Sequence, residues 1–355
     1  MLPATGGTPA NVTIANYTSS SSFTNTGLAP AVLSVNIPVN IGACGDSTTQ
    51  AQAIAVVNGW LARGGIVQLL AEQPDPSQLP NCNWSGTGAA FPGVITPGNA
   101  YYNAFMYGWN GSSACTSSAP CGGVWGLAQV LAQITSGHKV ILRILHENDL
   151  NPADYAWWGT NGTSGPTTNA QFVTLWKQEV TYLKALGVTN ALFNYNINNF
   201  SGAYSQNDPG AYNASTNPAG RDIVSGDYYG STTQAGVKSV LTNASAGFTY
   251  LQGLGLPFLM TEVGAESSNN GAVSTYTYDN SMWDQGLQSS ASNLVGTNIW
   301  NQHWCLQCQL NASGYLNNTI ALDDLPVITN SLWLIALVRR RRAANDDDFE
   351  QRRHG

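Results

Sequence analysis

The chain has 355 residues, of which 43% are hydrophobic, enough for a sizeable core, and only 9% are charged, against about 25% in ordinary soluble domains. Six of its 13 Lys and Arg stand in the last stretch, at Arg339 to Arg342, Arg352 and Arg353, so the body keeps only Arg63, Lys139, Arg143, Lys177, Lys184, Arg221 and Lys238. So sparse a positive charge excludes the phosphate-neutralising stripe that nucleic-acid binding requires, and the apolar run 332–338 is too short to span a bilayer. Gly, Ser, Thr and Asn supply the polarity instead, which suits a neutral polymer as partner. A surface with few carboxylates also gains little repulsion in acid, so tolerance of low pH is expected.

Short β-rich runs alternate with stretches of helical apolar periodicity, the rhythm of βα units around a parallel sheet. In chain order, strands are expected at about 11–16 and 31–37, a helix at 51–62, a strand at 64–71 and a helix at 125–134. A strand at about 139–145, a helix at 172–186, strands at 190–196 and 222–227, a helix at 237–254, a strand at 257–262, a helix at 283–294 and a strand at 297–301 complete the series. Eight strands predict a closed (β/α)8 barrel, which typically uses about 250 residues and carries long loops on its catalytic face. One domain over 1–338 therefore accounts for the length. The first helix is expected to be missing or replaced by loop, because only a Ser/Thr-rich stretch separates the first two strands. Gly64, Gly187 and Gly255 fall where helices should end. The segment 72–121, rich in Gly, Pro, Asn and aromatics, reads as a long loop over the active face. Residues 339–355, RRRR followed by DDD, read as a charged tail without fold.

Six cysteines, Cys44, Cys82, Cys115, Cys121, Cys305 and Cys308, suit an exported, secreted protein with up to three disulfides. Short spacings favour Cys115 with Cys121 and Cys305 with Cys308. CxxC could instead be half of a metal site or a redox motif, but no second CxxC and no thioredoxin-like context accompany it. Ten N-x-S/T sequons are compatible with glycosylation. The first twenty residues show no basic start followed by an apolar run, so no export signal is read in them.

The chemistry concentrates at two strand ends. KVILRIL runs directly into His146, Glu147 and Asn148, and PFLMT runs directly into Glu262, Val263 and Gly264. In a barrel both carboxylates lie on the catalytic face, on the fourth and seventh strands, whose ends can converge. A carboxylate pair about 5 Å apart is what double displacement at a sugar carbon requires. A lone Glu at a strand end is more often a loop contact or salt bridge; two of them, on these two strands of a charge-poor chain, carry the case. Arg143 is expected inside the barrel, paired with a carboxylate of the site.

With RILHEN at 143–148 followed by YAWWG at 155–159, the chain resembles glycoside hydrolase family 26 over roughly residues 30–335. That resemblance implies a retaining hydrolase of clan A, chiefly endo-β-1,4-mannanases, with relatives acting on mixed-linkage β-glucan and xylan. It implies Glu147, after His146, as acid/base and Glu262, in TEVG, as nucleophile. The D-x-Y at the end of the sixth strand maps onto Asp227 and Tyr229, the Tyr orienting the nucleophile, although Tyr228 could face the site instead. Trp300 would stack on the sugar at the cleavage point. Trp157 and Trp158 are expected to offer at least one sugar contact, with core packing as the alternative, and His146 to reach the substrate 2-OH or support Glu147. The chain also departs from the pattern. Glu72, ahead of Pro74, Asp75 and Pro76, stands where many mannanases have a substrate-contacting His, and Asn301 stands where some have an Arg for a distal sugar. The motif for catalysis is thus kept while the motifs for mannan preference are eroded.

The leading expectation is retaining endo-hydrolysis of a neutral β-linked plant-type polysaccharide, β-1,4-mannan first, and mixed-linkage β-glucan, cellulose or xylan next. The alternative from another class is a non-catalytic glycan-binding barrel, against which the presence of both Glu residues argues. No metal or organic cofactor and no nucleic-acid or membrane partner is implied, and a monomer is expected.

Overall fold

The computed structural model describes residues 32–38, 47–62, 64–79, 91–135, 137–150, 157–160, 168–198, 204–229, 246–264 and 294–299. Seven strands, β1 (Val32–Pro38), β2 (Ile66–Glu72), β3 (Val140–Arg143), β4 (Ala191–Ile197), β5 (Ile223–Tyr229), β6 (Phe258–Gly264) and β7 (Leu294–Ile299), form one sheet whose order is the chain order. Each neighbouring pair is parallel. Such a sheet needs a crossover at every connection and curls in one direction. Cα atoms of β1 and β7 come within 8 Å of each other, although the two strands are not hydrogen-bonded neighbours. Seven of the eight expected strands are therefore present near their expected bounds; the eighth, at 11–16, lies outside the described residues, as do Trp300, Asn301, the tail 339–355 and all but Leu294 of the expected helix 283–294.

The crossovers carry α1 (Ser47–Leu61), α2 (Ala100–Tyr107), α3 (Gly123–Ala132), α4 (Asn169–Ala185) and α5 (Ala246–Gly253). In α4 a capping box starts the helix: Thr168 Oγ1 accepts from the Gln171 amide at 3.2 Å and Gln171 Oε1 accepts from the Thr168 amide at 2.8 Å. Phe172, Leu175, Trp176, Val180 and Leu183 then recur at helical spacing and are fully buried, each burial contributing roughly 1.5–3 kcal/mol. Gly64, Gly187 and Gly255 follow their helices with φ of 80°, 86° and 62°, the left-handed cap expected of them.

Alternation along the strands separates two faces. Val35, Ile37, Val67, Leu69, Val140, Leu142, Phe193, Tyr195, Ile197, Val224 and Phe258 pack with the helices in the main core, whereas Ile141, Ile223 and Leu259, with Ile66 and Leu192, form a separate small cluster on the other face. Further along the strands that second face turns polar: Gln68, Arg143, Asn194, Asn196, Ser225, Asp227 and Thr261 are all buried there.

The segment after β2 is more ordered than its composition suggests. Asn99 caps α2 by accepting from the Tyr101 amide, and Cys115 is bonded to Cys121, the favoured pairing; Cys44, Cys82, Cys305 and Cys308 lie outside the described residues. Gly108, at φ 96°, lets this closed segment fold back, since a Cβ there would sit 2.4 Å from the Gly122 nitrogen. Phe91 and Phe105 place their rings 5.6 and 5.8 Å from that of Trp157, which fastens the segment over the C-terminal end of β3. Among the described residues no helix is long and apolar enough to cross a membrane.

Candidate active site

Beyond β3 the chain makes an unusual turn. Leu145 and Glu147 adopt φ of 44° and 53°, the left-handed region that non-glycine residues enter rarely, at about 1–3 kcal/mol each. Side chains from neighbouring segments hold it. Gln73 Oε1 accepts from the Leu145 amide at 3.1 Å, and Asn196 Oδ1 accepts from the Glu147 amide at 2.8 Å. Asn148 Nδ2 donates to the Asn196 carbonyl at 2.5 Å, while the Asn148 carbonyl receives the Thr160 amide and hydroxyl, both at 2.8 Å. Glu147 itself is 2% exposed, and Asn198 Nδ2 donates to its Oε1.

Asn196 joins this turn to the strands opposite. Its oxygen also accepts from Arg143 Nη2 at 3.2 Å, and its nitrogen lies 2.9 Å from Ser225 Oγ, 3.1 Å from Asp227 Oδ1 and 2.9 Å from Thr261 Oγ1. Arg143 and Asp227 form a fully buried ion pair at 2.5 Å, and Thr261 donates to Asp227 at 2.5 Å. Asp227 stands in register with Glu262, and Tyr229 with Gly264. The network thus runs from the amide of Glu147 to the residue before Glu262. Burial, and next the charge of Arg143, hold His146 well below its ordinary 6.5, so the imidazole is neutral.

Trp157 and Trp158 pack in the interior. Both are 0% exposed; Trp157 donates to the Gln73 carbonyl at 2.9 Å, and Trp158 donates to the His146 carbonyl at 2.6 Å. Their rings meet edge-on, centroids 5.5 Å apart, in the packing beside the turn. Glu72 ends β2, in register with Pro38. Among the described residues no group of three or more His, Cys, Asp and Glu is placed to hold a metal ion.

Sequence reasoning passed over Asn196, Gln73 and Glu179. The signal for the first was present: Asn194, Asn196 and Asn198 alternate with Phe193, Tyr195 and Ile197, which gives one strand a polar inner face. Glu179 falls on the apolar stripe of α4 and is fully buried, with Gln73 Nε2 donating to its Oε1 at 2.5 Å. Burial pushes its carboxyl from 4.5 up to about 8, against the smaller lowering effect of the Gln73 hydrogen bond.

No family model matches the sequence, and no curated protein matches it. Among solved structures, the fold is similar to the catalytic domain of a glycoside hydrolase family 26 endo-β-1,4-mannanase from Bacillus sp. JAMB-750, at 17% identity and TM-score 0.62, covering 91% of this chain and 81% of that one. A family 26 β-mannanase from Bacteroides ovatus is similar at 18% identity and TM-score 0.59, covering 86% and 80%. So is a β-mannanase from a symbiotic protist of the termite Reticulitermes speratus, solved with a gluco-manno-oligosaccharide, at 16% identity and TM-score 0.54, covering 86% and 79%. At these identities the likeness shows a common fold, that of family 26 structures.

Two outcomes are expected. Asp227→Ala strands a buried guanidinium and should cost about 3–5 kcal/mol in urea unfolding, whereas a loss below about 1 kcal/mol would contradict a closed, water-free pair. The folded chain keeps on Glu179 a proton that the unfolded chain releases above pH 4.5, so this group's contribution is full below 4.5 and is lost as pH rises to about 8. Glu179→Gln, isosteric with the neutral acid, should therefore flatten the fall of Tm between about pH 5 and about pH 8; an unchanged slope in thermal unfolding would count against it.

Proposed function

We propose that this chain is a secreted, monomeric, retaining glycoside hydrolase, a single (β/α)8 barrel over 1–338 that cleaves a neutral β-linked polysaccharide, β-1,4-mannan first. Sequential parallel strands and the approach of β1 to β7 support a barrel, and the mannanases of similar fold support the substrate class. The observation that carries the reading is the hydrogen-bonded network that ties the left-handed turn bearing Glu147 to Asp227 and Thr261, beside Glu262.

In this mechanism Glu147 protonates the departing glycosidic oxygen while Glu262 attacks the anomeric carbon, forming a covalent glycosyl ester. Glu147 then takes a proton from water as that water displaces Glu262. Asn198 fixes one carboxyl oxygen of Glu147. Arg143 neutralises Asp227, so the strand position beside Glu262 opposes its ionisation with no net charge. The neutral His146 adds no positive charge that would hold Glu147 deprotonated when a proton must be given. Tyr229 is assigned to orient Glu262, Trp300 to stack on the sugar at the cleavage point, and Glu72 and Asn301 to line flanking subsites.

Reducing-sugar release tests this on mannan, glucomannan, mixed-linkage β-glucan, cellulose and xylan. Mannan or glucomannan should be cleaved by the unaltered chain and about 10²–10⁴-fold more slowly by Glu147→Gln and Glu262→Gln. No release from any polymer by folded protein would favour a glycan-binding barrel instead.

A further inference from the structure

We propose that Gln73 and Glu179, neither of which stands in the reacting pair, are positioning residues that hold the acid/base turn in its productive shape. The inference rests on the reading of Glu147 as acid/base. Gln73 follows β2, and three of its polar atoms are committed. Its Oε1 accepts from the Leu145 amide at 3.1 Å, its carbonyl accepts from Trp157 Nε1 at 2.9 Å, and its Nε2 donates to Glu179 at 2.5 Å. Trp157 packs edge-on against Trp158, ring centroids 5.5 Å apart, and Trp158 donates to the His146 carbonyl. The turn is thus gripped at Leu145, and at His146 through the two indoles, at the two residues that lead into Glu147.

The part played by Glu179 follows from the chemistry of a carboxamide. A buried Gln presents oxygen on one side and NH₂ on the other, and a half-turn of the group exchanges them. With NH₂ toward Leu145, two donors would face each other and the turn would lose an acceptor. The Leu145 amide, which can only donate, requires Oε1 on its side, and a carboxyl oxygen at Glu179 supplies the acceptor for the Nε2 that then faces α4. That explains why α4 carries a fully buried carboxyl on its apolar stripe, a placement whose desolvation the helix does not need for its own packing. Left-handed backbone at Leu145 and Glu147 persists only where the surroundings over-determine it, and Gln73 is the acceptor that does so at Leu145.

Because the effect reaches the chemistry through proton donation, it should scale with the need for a proton. The test compares kcat/KM, which reports the glycosylation step, on β-mannan and on dinitrophenyl β-mannobioside, whose leaving group departs without protonation. Glu179→Leu and Gln73→Met should lower the value on mannan by about 10–100-fold, mostly in kcat, and leave the activated substrate within about 3-fold. Glu179→Gln, which keeps an acceptor oxygen, should restore mannan turnover. Gln73→Met carries the test by itself if Glu179→Leu does not fold. Equal losses on both substrates, or no loss in folded variants while Glu147→Gln is impaired on mannan alone, would overturn the positioning role and leave the acid/base reading standing. Unimpaired mannan cleavage by Glu147→Gln would overturn both.

Discussion

The carboxamide of Asn196 lies where four strands must agree. Its oxygen receives the Glu147 amide and Arg143, and its nitrogen faces hydroxyls and a carboxylate from β5 and β6. Every one of these groups is buried, so each needs a partner or costs free energy comparable to a lost hydrogen bond. The positions of β3, β4, β5 and β6 are thereby coupled, and a shift of any one strand would strand a polar atom in the interior. The Arg143–Asp227 pair raises the stakes, because each ion without the other would be an uncompensated buried charge.

This constraint explains the division of labour across the sheet. The outer face, from Val35 to Phe258, supplies the apolar packing against the helices, and the inner face keeps only a small aliphatic cluster before turning polar. Folding is driven on one side so that the other can hold a charged, directional array at the strand ends. The left-handed turn at Leu145 and Glu147 is a further consequence: backbone strain there is tolerated because Asn196, Gln73 and Asn148 fix the turn from three directions.

Much of this was legible in the sequence. Alternation and length located seven strands, glycines marked the helix ends, and the Glu at each of two strand ends stood out in a chain with so few charges. What escaped had physical reasons. Positive φ at Leu145 and Glu147 leaves no mark in residue type, since neither is glycine. The tryptophans of YAWWG satisfy a core as readily as a sugar platform, and only burial decides between them. Helix α2 hides between Gly- and Pro-rich flanks, although Asn99 and the buried Ala104 and Phe105 announce it. Glu179 is marked only as a carboxyl on an apolar stripe, and Asn196 only as the middle of three alternating asparagines; polarity inside an element signals both, whereas charge at a strand end signals neither.

Double displacement requires that Glu262 form a covalent bond to the sugar while Glu147 manages the proton. It is tested most directly by incubating the protein with an activated 2-deoxy-2-fluoro β-mannoside and mapping the adduct by peptide mass spectrometry. A single glycosyl label on the peptide containing Glu262, with the β-anomer as the first product from mannan, is expected. Turnover with no adduct and with the α-anomer as first product would contradict the double displacement.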